Sequence, residues 1–206
     1  DGMMVISSPM RRFSGGTMDE YHDLLLTLAR EVISASLDIG DVPTYDQLKR
    51  RDDPFFTQKR GVFVTLRKKD GALRGCIGSL IGSLPLVDQV VRLAYDAAFN
   101  DYRFKPVAAR ELDDLIIEIS LLTEPGPVSS RNAIRVGVDG IILEHGGRSA
   151  VFLPGVATEQ GWDLETTLKH LSVKAGLRAN AYLDPHTAFK VFQATSFSEK
   201  RDEDAM

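Results

Sequence analysis

Cys76 is the only thiol in the chain. It stands in Leu73-Arg74-Gly75-Cys76-Ile77-Gly78, two residues from a guanidinium and two from a residue with no side chain. A thiol attacks as the thiolate, and a neighbouring guanidinium favours that form. Gly75 and Gly78 would let a ligand approach the backbone. The competing reading is packing, since unpaired cysteine is among the most buried residue types and a strand glycine often marks a bulge or close contact. No general base lies nearby. His22, His145, His170 and His186 are scattered along the chain, so a Cys-His pair could form only through folding.

Arg74 and Arg103 could grip a carboxylate or phosphate if they met in one pocket, with Glu118 and Ser120 beside them. An internal ion pair, with Asp101 or Glu118 neutralising an arginine, explains the same residues without a ligand. The sequence has no His-Glu-x-x-His, no paired cysteines and no Asp-rich calcium loop, so no metal site is expected. Gly75-x-x-Gly78 and Gly137-x-x-Gly140 lack the strand-to-helix setting of a dinucleotide fingerprint, and no cofactor is identified.

The elements that must position these groups follow from periodicity. Gly61 to Lys68 alternates and is β-branched, so it reads as a strand. Asp70-Gly71 suits a tight hairpin in which both central residues take positive φ, and the chain returns as a strand from Ala72 to Leu80. Strict alternation then puts Arg74, Cys76 and Gly78 on one face. Thr17 and Glu20 form a capping-box pattern before a helix with Tyr21, Leu25, Leu28 and Val32 on one stripe. Tyr45 to Arg51 reads as a short helix. Pro85 opens another, carrying Leu86, Val90, Leu93 and Ala97. Asn100 to Lys105 reads as a loop and Leu115 to Thr123 as a central strand. Ile134–Val138, Ile141–Glu144 and Ser149–Leu153 read as a three-stranded meander. Leu164 to Ala175 reads as a helix closed by Gly176, and Phe189 to Phe197 as one final strand. Hairpins and helix-separated strands together favour a mixed α/β domain of α+β character.

The 206 residues fit one domain able to bury a substantial core. Net charge of −4 supplies no basic field for nucleic acid. Lys49-Arg50-Arg51, Lys59-Arg60 and Arg67-Lys68-Lys69 are short basic clusters that read as solvated surface. No apolar run approaches the roughly 18 residues of a membrane span, and a single cysteine suits a reducing compartment. A cytoplasmic location is expected. Residues 1–16 read as a mobile leader and 199–206 as a charged tail.

The hexapeptide resembles the signature of the AMMECR domain family. The resemblance extends to Gly61-Val-Phe-Val-Thr-Leu66, Asp101-Tyr-Arg-Phe-Lys-Pro106, Ile117-Glu-Ile-Ser120, Phe152-Leu-Pro154 and Lys174-Ala-Gly176, in order, over roughly residues 20 to 197. It implies a single α/β domain over 17–198 with two unequal lobes and a cleft between them. The larger lobe would carry the 61–80 hairpin at the cleft, and the smaller would lie around 125–155. It also implies a pathway link to Memo-like and radical-SAM proteins. Ser172 stands where relatives commonly carry a second cysteine, and Gly155 where a glutamine is common. The function expected on this basis is binding of a small anionic or peptide-like ligand, with Cys76 as contact or nucleophile. A non-catalytic interaction adaptor is the alternative, and nucleic-acid binding the third.

Overall fold

Thr17 is a helix cap. In the computed structural model, which describes residues 17–50 and 53–199, its hydroxyl accepts from the Glu20 amide while the Glu20 carboxylate accepts from the Thr17 amide. This reciprocal cap opens α1 (Met18–Ala35), whose apolar stripe is fully buried. α2 (Pro43–Arg50) and α3 (Pro54–Thr57) follow. Then come β1 (Val62–Lys68), β2 (Leu73–Ser79), α4 (Leu86–Phe99) and β3 (Leu115–Leu122). β4 (Gly126–Pro127), β5 (Gly140–His145), β6 (Arg148–Phe152), α5 (Gly155–Gln160) and α6 (Leu164–Lys174) come next, and β7 (Ala188–Phe192) and β8 (Ala194–Ser198) close the chain. The leader at 1–16 and the tail at 199–206 lie outside the described residues except for Glu199, which is not free tail but is held by Arg30 and the Ile117 amide.

The strands form two four-stranded sheets, ordered β2-β1-β3-β8 and β4-β7-β5-β6. Every pairing is antiparallel, which is the α+β side of the expected class. α1 and α4 cover one face of the first sheet, packing on Val62, Val64, Leu66, Ile117 and Ile119. A second core lies between the other sheet and α6, through Leu143, Leu168, Leu171 and Tyr182. A smaller cluster joins the sheets: Leu122, Phe63 and Leu80 from the first meet Ile142 and Phe192 from the second.

Three local expectations need correction. Phe189–Phe197 is two strands rather than one, because the chain leaves one sheet and enters the other at Gln193. Ile134–Val138 is not a strand. Asp139 folds it into a turn by accepting from the Arg135 amide and guanidinium, and β7 supplies the third strand beside the β5–β6 hairpin. In the β1–β2 turn only Gly71 has positive φ, at 90°. Asp70 instead accepts from the Ala72 amide, so the turn is a three-residue loop with glycine at its left-handed position.

A fourth correction bears on the site. Leu66 pairs with Gly75 but Arg67 with Leu73, so Arg74 is the extra residue of a β-bulge. Alternation fails there, and Arg74 does not continue the Cys76–Gly78 face. Gly75 lies against α4, where an added Cβ would come within 2.2 Å of the Ala97 carbonyl oxygen. Gly75→Ala is expected to lower unfolding free energy by about 2–3 kcal/mol in urea titration. A loss under about 0.5 kcal/mol, the ordinary surface value, would show that this approach is not tight.

Candidate functional site

β2 is an edge strand, and the loop after α4 closes on its free side. The Cys76 amide donates to Asp101 Oδ2 at 2.9 Å, and the Cys76 carbonyl accepts from Arg103 Nη2 at 3.1 Å. Asp101 is buried and grips Arg103 in bidentate fashion, at 2.9 and 2.7 Å. The Arg103 guanidinium pulls the Asp101 carboxyl well below the usual range; burial opposes this, and the Cys76 and Arg103 amides add to it. With both edge groups of Cys76 used outward, Cys76 and Thr65 face each other closely across the ladder. The Thr65 hydroxyl lies 3.2 Å from the half-buried sulfur. The same row runs on to Glu118 and Ser198.

The bulge directs Arg74 into the same loop. Its guanidinium meets Glu111 at 2.8 and 3.1 Å and the Lys105 carbonyl at 2.9 Å, close to the Phe104 ring. It is nine-tenths buried, and its Nη1 has no partner among the described residues. Both arginines expected to anchor a ligand are thus held by carboxylates of the chain itself, Arg103 by Asp101 and Arg74 by Glu111. Glu118 faces Arg67 at 4.0 Å, and Ser120 bonds Ser196. Gly78 lies under the Phe63 ring, where a Cβ would approach to 2.3 Å, so it and Gly75 serve close packing.

No histidine bonds Cys76 among the described residues. His22 stacks on Phe197 and His170 on Trp162. His145 bonds Thr187 and His186 bonds Asp184. Ser172 is sealed in α6, donating to the Leu168 carbonyl. The described residues contain no group of three or more His, Cys, Asp or Glu suited to a metal.

A hollow of about 620 Å³ opens between the sheets, beyond the end of the hairpin rather than beside Cys76. Gly61, Leu80 and Gly82 line it on one side, Leu122 and Thr123 at the crossing, and Ile142, Ser149 and the Glu144–Lys190 pair on the other. None of the residues expected from sequence lines it. Arg60 does, and its Nε donates to the Leu122 carbonyl at 3.0 Å. Two hollows of similar size, between α1, α2 and α4 and beside His145, lie away from the junction of the sheets. In sequence Arg60 was half of a surface cluster, and nothing in one-dimensional spacing marks it as a wall of a cavity.

The Arg74–Glu111 pair sets a pH dependence. Arg74 draws the Glu111 carboxyl from 4.5 down to about 2; burial opposes this and the Ala108 amide assists. A folded value below the unfolded one stabilises above pH 4.5, and that contribution is lost as pH falls toward 2. Glu111→Gln should therefore flatten the fall of the urea midpoint between these limits. At neutral pH it should cost about 2 kcal/mol, less than for a sealed pair because Glu111 stays partly open to water. A midpoint curve parallel to that of the parent protein would contradict this role.

Comparison with known proteins agrees with this fold. The AMMECR1 family model matches residues 26–197. A protein of Methanothermobacter thermautotrophicus is 48% identical over 150 residues, covering 70% of this chain and 78% of the relative. One of Thermococcus gammatolerans is 40% identical over 193 residues, covering 88% and 92%. The crystal structure of the uncharacterized protein PH0010 from Pyrococcus horikoshii superposes with a TM-score of 0.78 at 36% identity, covering 89% of this chain and 94% of that one. The chain belongs to the AMMECR1 family.

Proposed function

We propose that this chain binds a small molecule in the hollow between its two sheets. One observation carries the reading: a space of about 620 Å³ with apolar walls from Leu80, Leu122 and Ile142 and charged groups at its rim. Ligand sites typically have this size and this division of apolar body and few polar contacts. The β1–β2 hairpin contributes through its far end, since β2 runs directly into Leu80–Gly82. Cys76 does not line this hollow.

A second reading keeps Cys76 as a nucleophile, as a thiol-dependent enzyme would need. It is favoured by Arg103, whose guanidinium sits on the Cys76 carbonyl.

Methyl NMR separates the two. Hexanamide, a neutral apolar probe, should shift the Ile142 and Leu122 methyl signals. Ser149→Trp, an exposed position on the cavity wall, should weaken that binding at least tenfold without lowering the melting temperature. Absence of any shift with hexanamide and with its charged analogues alike, or equal binding by the variant, removes the cavity reading. The nucleophile reading requires fast iodoacetamide alkylation of Cys76 at pH 7 that slows several-fold in Arg103→Gln. A rate matching free cysteine in both proteins removes it.

A further inference from the structure

Several arginines of this fold are neutralised from within. Arg30 meets Glu199 at 2.5 Å, Arg74 meets Glu111 at 2.8 Å, Arg103 meets Asp101 at 2.7 Å, and Arg135 meets Asp139 at 2.9 Å. Arg60, which lines the hollow, is not one of them. Among the described residues its guanidinium has no carboxylate partner, and its single protein hydrogen bond uses Nε alone. The two Nη groups, four N–H donors in a planar fork, are left for something else.

That arrangement is costly without a counter-charge. Arg60 is half-buried, and burial lowers its pKa with no carboxylate acting the other way. The rest of the rim does not supply the missing charge. Glu144 is already bound to Lys190 at 2.9 Å. Glu124 is exposed and makes no ion pair among the described residues, while Lys59 adds further positive charge on the same rim. The hollow that Arg60 lines has an apolar wall, formed by Leu80, Leu122 and Ile142.

We infer that the hollow takes an amphipathic anion, its carboxylate or phosphate oxygens received by the free fork of Arg60 and its apolar body laid against Leu80, Leu122 and Ile142. This rests on the cavity reading above and adds the chemical class of the ligand. Pinning of Nε by the Leu122 carbonyl fixes the plane of the guanidinium, so the two Nη donors point as a pre-set pair. A bidentate acceptor gains from that fixed geometry and a neutral amide does not.

The test compares hexanoate, hexyl phosphate and neutral hexanamide, followed at the Ile142 and Leu122 methyl groups in the intact chain. At least one of the two anions should bind tenfold or more tightly than hexanamide, and the stronger of them tells carboxylate from phosphate. Arg60→Gln should bring that anion to parity with hexanamide while hexanamide binding stays unchanged, and Arg60→Lys should restore part of the preference. Equal binding of all three by the parent protein overturns the anion assignment and leaves the cavity reading standing. No shift with any of them overturns both. The parent comparison needs no variant, so a folding defect in Arg60→Gln does not blunt the test.

Discussion

Two paired ribbons passing from one sheet to the other hold this architecture together. β3 continues toward β4 and β7 into β8, and they cross where the Thr123 amide donates to the Gln193 carbonyl at 2.9 Å. The Gln193 amide returns to the Thr123 hydroxyl at 2.8 Å, and its side chain reaches Asp139 at 2.7 Å. Asp139 is the same buried carboxylate that folds the 135–139 turn. One polar node thus sets where the first sheet stops, where the second begins and how the turn before β5 runs. The hollow exists because the sheets diverge from this crossing, with Leu122, Ile142 and Phe192 packed at its base.

The loop after α4 solves a different problem. An edge strand offers unpaired amides and carbonyls that invite another strand. Asp101 and Arg103 occupy those groups at Cys76, and Arg74 threads from the bulge into the same loop to meet Glu111. Two ion pairs lie side by side along the hairpin. Within Leu73–Gly78, Arg74 is paired to Glu111 and both glycines lie in close packing contacts.

Much of the fold was legible because it is written in local rules. The Thr17–Glu20 box, the apolar stripes of α1 and α4, and the alternation of β1 and β3 all appear where periodicity places them. What failed was decided by partners distant in sequence. The break at Gln193 depends on Thr123 and Asp139, and the turn at 134–138 on a carboxylate that caps it. The bulge at Arg74 displaces a side chain that strict alternation would leave beside Cys76. The candidate site was less legible still. Residue types at Arg74 and Arg103 announced charge, but whether a charge is spent depends on Glu111 and Asp101. Arg60 looked like surface because its missing partner is a fact of three dimensions.

The clamp on β2 touches only main-chain atoms of residue 76. Asp101 reads its N–H and Arg103 its C=O, and every L-residue but proline presents both. The grip is therefore blind to what the seventy-sixth side chain is. Holding the loop asks nothing of a sulfur atom, so the choice of cysteine there is left to its contact with Thr65 across the ladder.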